Sequence, residues 1–261
     1  MLGPRVFSLF IAALLAIAPL FGAGQSAAAQ PVRSNAAIPY KPVGVTLLAA
    51  PSDPGLDALR KDLAALAKSK DRAKLSSHLV AQDFFWERDF SGGFDASRSP
   101  LDNLSAALGL DAEDGVGWDA LAAFAAEPSV GPLPGRPASM CAPASVQFDD
   151  AARAKLIEDM HTDGIEWLYP RRAGLTVHAA PRGNAASVET LGLHFVHLLG
   201  FEDSKAESDP IRSAWMRVVT PAGKTGFLAP GSLLSPYTDR LCFAKAADGT
   251  WRIAGYVGGG D

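Results

Sequence analysis

The chain has 261 residues, 48% of them hydrophobic, and its 24 Lys and Arg fall short of its 28 Asp and Glu, for a formal net charge of −4. That apolar share supports packed cores and excludes disorder along the whole chain, and the length allows one large or two small domains. The acidic balance argues against nucleic acid, because phosphate binding needs clustered Lys and Arg and the densest basic run, Lys68 to Lys74, is interrupted by Asp71.

Arg5, an apolar run from Val6 to Phe21 and then Ala27-Ala28-Ala29 predict a signal peptide over residues 1–29, cleaved after Ala29. Spanning a bilayer takes about 20 apolar residues, and Pro19 with Gly22 to Ser26 cuts this run short. The processed protein is therefore expected to be periplasmic or secreted and not membrane-spanning. An oxidising compartment and an even cysteine count point to a disulfide between Cys141 and Cys242, with free buried thiols or intermolecular pairing as the alternatives.

Residues 30–53, with scattered Pro and small side chains and a brief apolar patch at Val43 to Ala50, read as a flexible leader. Asp53-Pro54 marks a helix start, and Leu56, Leu59, Leu63 and Leu66 set a helical stripe over 54–69. Asp71 caps a second helix carrying Leu75, Leu79 and Val80, and the aromatics Phe84-Phe85-Trp86 are expected in the helical core. Ser99-Pro100 opens a helix over 100–108, which Gly109 stops. Trp118, Leu121, Phe124 and Ala125 form a further stripe ending at Pro128. These elements predict a small helical domain over 54–127.

Residues 128–148, with Gly131-Pro-Leu-Pro-Gly-Arg-Pro137 near the centre, read as a Pro/Gly-rich linker. A connecting helix from about Asp149 to Met160 leads through Trp167-Leu-Tyr-Pro170 into a β-rich segment over 171–261. Leu175 and Val177 alternate with Thr176 and His178 as in a half-buried strand. Val188 to Leu191 gives a second strand and Leu193 to Leu199 a third, apolar on both faces and so expected to contact another domain. Trp215 to Val219, the Pro221-Ala-Gly-Lys turn and Thr225 to Leu228 form a hairpin. Short strands between turn signals argue for a small barrel.

The order Leu175-Thr-Val-His-Ala-Ala-Pro181, Val188-Glu-Thr-Leu-Gly192, Trp215-Met-Arg-Val218 and Gly223-Lys-Thr-Gly-Phe-Leu228 resembles a bacterial SH3 domain. His178 stands where that family usually has Arg, Phe227 where it usually has Trp, and Glu202 to Asp209 lengthens one loop. The resemblance implies a non-enzymatic module that binds peptidoglycan peptides or another envelope protein. It places Trp215, Phe227 and His178, with Tyr169 just before the module, as the aromatic positions most able to line a ligand groove, core packing being the rival role for each. The fold class expected is α+β: a helical domain, then an SH3-like β-barrel with an extra C-terminal hairpin.

That hairpin, Arg240 to Lys245 and Thr250 to Val257, sets Leu241 and Phe243 opposite Trp251 and Ile253. It resembles the last strands of cone-shaped α+β domains related to nuclear transport factors, which would return it to the helices. The adjacency of consecutive strands instead favours the barrel's own sheet.

Other motifs carry less. His194 and His197 would point to opposite faces of a strand, and His161 between Asp159 and Asp163 has no separated partner at metal spacing. Asp111 to Gly115 has its Gly at the fifth position and Ala122 at the twelfth, unlike a calcium loop. Cys141 with a histidine base would suit a cell-wall hydrolase, yet Ser139-Met-Cys-Ala-Pro143 does not resemble a nucleophile motif. Pro134-Gly-Arg-Pro137 is a PxxP sequence inside the linker. No cofactor, metal site or catalytic residue is expected, with a cell-wall hydrolase or an accessory subunit as the alternative functions.

Overall fold

The computed structural model describes residues 37–88, 93–202 and 214–258; the signal peptide reading therefore lies outside the described residues. Helix α1, Pro54–Ser69, starts where the sequence dictates: the Asp53 carboxylate accepts the Gly55 and Leu56 N–H groups and also the Trp251 indole N–H. Its stripe of Leu56, Leu59, Leu63 and Leu66 is buried. Helix α2, Arg72–Ser76, is capped by Asp71 but ends before Leu79, which instead bridges to Ile253. Helix α3, Pro100–Leu108, has Ser99 as its cap and ends at Gly109 in the left-handed region at φ 72°. Helix α4, Val116–Ala126, closes tightly on that end, since a Cβ at Gly117 would lie 2.4 Å from the Gly109 carbonyl carbon.

These helices pack against a five-stranded sheet, not only against each other. Its strands are β2 (Phe85–Glu87), β3 (Gly131–Leu133), β4 (Arg136–Ala142), β13 (Arg240–Lys245) and β14 (Trp251–Val257), in the order β2-β14-β13-β4-β3. One core joins Leu63, Leu75, Leu104 and Leu121 from the helices to Leu241, Phe243 and Ile253 from the sheet. The β2–β14 contact is close enough that a Cβ on Gly255 would sit 2.5 Å from the Phe85 ring.

Two expectations are corrected here. The C-terminal hairpin belongs to the sheet of the helical lobe, because β13 pairs with β4 in the register Leu241↔Ala142, Cys242↔Cys141 and Phe243↔Met140. Leu241 and Phe243 supply the apolar face that the helices need, and Cys242 on the opposite face is bridged to Cys141 directly across. The supposed linker forms strands β3, β4 and β5 (Val146–Phe148). Its prolines fit: Pro132 lies on an edge strand, and Pro137 precedes the β4 residues that pair with β13. Pro134 and Gly135 make the turn, with Gly135 at φ 83°.

The second lobe is a seven-stranded sheet of β6 (Trp167–Pro170), β7 (Leu175–His178), β8 (Ser187–Leu191), β9 (Val196–Glu202), β10 (Trp215–Val219), β11 (Thr225–Leu228) and β12 (Leu233–Leu234). The order is β12-β6-β9-β10-β11-β7-β8. One cluster takes Leu168, Val177, Leu191, Val196, Met216, Leu228 and Leu233, a side chain from every strand, so the sheet curls around it. The edges β12 and β8 do not pair, so among the described residues the sheet of the expected SH3-like barrel stays open. The chain is α+β with open sheets.

The opposite face of this sheet is half covered. Helix α5, Asp150–Met160, starts at its Asp149 cap and brings Leu156 to Trp167, Tyr169, Phe195 and Leu234. Beside it runs a strap, residues 37–48, containing β1 (Val45–Leu47) paired antiparallel with β5. Tyr40, Val43 and Val45 are buried in the same cluster, the Tyr40 hydroxyl donates to the Val219 carbonyl at 3.0 Å, and Phe195 N–H donates to Val43 O. The leader reading is thus corrected from Ala37 onward, because its apolar side chains have a sheet face to bury against. The strand expected over Leu193 to Leu199 begins only at Val196 and leaves Leu199 exposed, while Leu193 and Phe195 ahead of it pack with the strap and helix.

A buried charge pair ties the lobes. Arg171, following β6, forms an ion pair with Glu127, which is only 5% exposed, while Arg60 of α1 donates to the Glu127 carbonyl and the Ser129 hydroxyl donates to its carboxylate at 2.9 Å. Removing one partner of such a pair strands the other and typically costs about 3–5 kcal/mol. Glu127→Ala is expected to lower the unfolding free energy in urea by that amount, and pairing Glu127→Leu with Arg171→Met to recover part of the loss. Both cysteines are fully buried and close a loop with a separation of 101 residues, for which chain entropy gives at most about 4.7 kcal/mol. The variant Cys141→Ala with Cys242→Ala should unfold at lower urea, and the native protein should show no reactive thiol until it is both unfolded and reduced.

Candidate functional site

Among the described residues, strap and helix cover the β12-β6-β9 end of the sheet and the Val219 end of β10, and leave the rest of the β10-β11-β7 end uncovered. On those three strands, alternation sends Met216, Val218, Leu228 and Val177 into the curl and the intervening residues outward. The register then fixes a row: His178 lies opposite Phe227, and Phe227 opposite Arg217. Trp215, two residues before Arg217 on the same face, meets the His178 ring edge-to-face, with centroids 6.0 Å apart and planes at 85°. The His178 Nδ1 lies 3.2 Å from the Ala185 carbonyl, which fixes the ring. Trp215, Phe227 and His178 are half-buried, and Arg217 is exposed.

Three of the four residues predicted to line a ligand groove are therefore brought together. Tyr169 is not: it is fully buried behind the sheet against Phe195, with ring centroids 6.4 Å apart, and burial pushes its phenol up to about 12. Strand β6 is buried on both faces, so its aromatic serves the core. Arg217 takes its place at the surface and was missed, although sharing a strand face with Trp215 at a spacing of two was a usable signal. The two departures from the SH3 pattern, His178 and Phe227, are direct cross-strand partners.

The row can do specific chemistry. Aromatic faces stack on peptide planes and apolar side chains, at about 0.5–1.5 kcal/mol per well-placed aromatic pair. A guanidinium next to them binds a carboxylate through two parallel hydrogen bonds.

The other sequence motifs have structural occupations. His197 stacks on Trp167 at 5.1 Å, with Nε2 3.3 Å from Glu166 Oε2. His161 ends α5 in the left-handed region, Asp159 pairs with Lys155, and Asp163 caps the 3-10 turn Gly164–Glu166. Asp111 pairs with Arg72, and Asp114 accepts the Val116 N–H. Cys141 is consumed by its bridge, so the cysteine-hydrolase arrangement has no thiol in this form.

Comparison with protein-family models finds no match, and neither the curated proteins nor the solved structures contain one.

His194 adjoins the strap, where it bridges Gly44, and its Nε2 is buried with no hydrogen-bond partner among the described residues. Burial lowers its pKa below the usual 6.5, with Glu189 opposing, and burial lowers that of His78 too. A base with a depressed folded pKa is protonated first in the unfolded chain, so this contribution is whole above 6.5 and drains as pH falls below it. Unfolding free energy is expected to fall between pH 7 and 5, and the His78→Gln, His194→Gln double variant to show a flatter profile by urea titration at each pH.

Proposed function

We propose that this chain is an exported, non-enzymatic envelope protein that binds peptidoglycan stem peptides on the open face of β7, β11 and β10. The observation that carries this reading is the row His178–Phe227–Arg217 with Trp215 alongside, on the part of the sheet that, among the described residues, lies beyond the strap and α5. An extended peptide laid across the row stacks on Trp215 and Phe227 and sets a carboxylate on Arg217. The signal-peptide grammar of residues 1–29 and the buried disulfide support export. Among the described residues no helix is long and apolar enough to cross a membrane.

The SH3-like reading draws support from placement. The quoted motifs fall on β7, β8, β10 and β11, consecutive neighbours within one curled sheet, in the order β10-β11-β7-β8. On this reading β6, β9 and β12 widen the module instead of closing it.

Sedimentation with purified sacculi tests the proposal. The processed protein should be retained, and Trp215→Ala or Phe227→Ala should each weaken retention about tenfold, the effect of a side chain worth roughly 1.4 kcal/mol. No retention, or retention indifferent to both substitutions, overturns the cell-wall ligand. A specific envelope protein captured only by the unsubstituted chain would move the same face to a protein partner.

A further inference from the structure

Strand β9 adds a carboxylate beside the aromatic row. Trp215, Met216 and Arg217 of β10 pair in unbroken register with Glu202, Phe201 and Gly200 of β9. Met216 and Phe201 pack in the cluster inside the curl, so alternation turns the flanking pairs, Trp215 with Glu202 and Arg217 with Gly200, to the outer face. Glu202 is therefore the diagonal neighbour of Arg217, a placement that in an antiparallel pair separates two residues by about 7–8 Å. Among the described residues neither side chain has an ion-pair partner, so the two charges stand apart and do not neutralise each other. Arg217 is exposed, Glu202 is half-buried, and a Cβ placed on Gly200 beside them would meet no atom within 4 Å. On this outer face, one cation and one carboxylate thus flank open space next to the Trp215 ring.

We infer that this face selects stem peptides with a side chain that ends in a free amino-acid head, the carboxylate of that head on Arg217 and its ammonium between Glu202 and the Trp215 ring. The inference rests on the peptide reading above and specifies which peptide. A side chain ending in a carboxylate alone satisfies Arg217 but is repelled by Glu202 one step along the strands, and a side chain ending in an amine alone meets the reverse. A head that bears both charges on one carbon satisfies both, while the peptide main chain lies along Trp215 and Phe227. The ammonium gains from the carboxylate and from the electron-rich face of the indole. Stem peptides built with a diamino diacid carry such a head, whereas those built with lysine present the amine without the carboxylate. Cross-linking acylates the amine and leaves a neutral amide, which offers Glu202 no charge. The face is thereby specific for stem peptides that are not cross-linked through that amine.

Isothermal titration calorimetry on the processed chain tests this with three synthetic stem tetrapeptides: one with meso-diaminopimelate at its third position, the same peptide with its free amine acetylated, and one with lysine in that place. The first is expected to bind saturably, and each of the other two about tenfold more weakly, as for the loss of one charge-assisted contact. Glu202→Gln should bring the free and acetylated peptides to the same affinity, and Arg217→Met should do so for the diaminopimelate and lysine peptides. Both variants should keep the thermal unfolding midpoint, and the comparison of free with acetylated peptide on the unsubstituted chain needs no variant at all. Equal binding of those two peptides, or a preference that survives Glu202→Gln, overturns the inference and leaves the peptide reading standing wherever retention by sacculi depends on Trp215 and Phe227. No binding by any of the three also overturns it, and retention by sacculi then decides the wider reading separately.

Discussion

Strand β13 lies against β4 with Cys242 bridged to Cys141, and the helical lobe depends on that pairing. Without β13 and β14, the apolar stripes of α1, α3 and α4 would face only the short strands β2 and β3 and the β4 segment beside them. Leu241, Phe243 and Ile253, all fully buried, complete the core from the far end of the chain. The pairing also makes the lobe discontinuous. Its sheet takes residues 85–87 and 131–142 from one side and 240–257 from the other, and the curled seven-stranded sheet is carried between them.

That insertion explains how the curled sheet's outer face is divided. The chain leaves β4, pairs with the strap as β5 and turns into α5, so the elements that cover part of the face precede the seven strands. The strap meets the curled sheet's side through Val45 N–H to Leu193 and Tyr40 N–H to Pro221, and just past its end Ala50 N–H reaches Val130 beside β3. Glu127 and Arg171 meet at the same junction, where a charge is tolerated only because its partner and neighbouring donors are in place. Among the described residues, what remains uncovered is the part of β10, β11 and β7 beyond Val219, where Arg217 is exposed and Trp215, Phe227 and His178 are half-buried.

Local signals were legible where a few neighbouring residues decide the outcome. Asp53-Pro54 and Ser99-Pro100 place two helix starts because a cap and a proline act within one turn. The alternation at Leu175 to His178 and the hairpin at Trp215 to Leu228 place strands, and with them three of the four proposed groove residues. Long-range choices were not legible. Pro132 and Gly135 read as linker, yet an edge strand and its turn accept both residues. Tyr169 looks like a free aromatic in sequence, and only the packing of β6 between two clusters removes it from the surface. The destination of the last hairpin turned on which sheet lacked an apolar face, a fact that no window of neighbouring residues contains.

The discontinuity sets the order in which the chain can become native. Residues 146–234 hold the strands of the curled sheet, so that sheet can form while the last strands are still emerging. The helices of residues 54–126 come first in sequence but must wait for residue 257 before their core is closed. Contacts of such high sequence separation are slow to form, because loop closure precedes any gain from burial. During synthesis these helices are therefore made before the curled sheet and buried after it. The apolar stripes of α1, α3 and α4 are the surfaces that must be kept from other chains until the carboxyl end arrives.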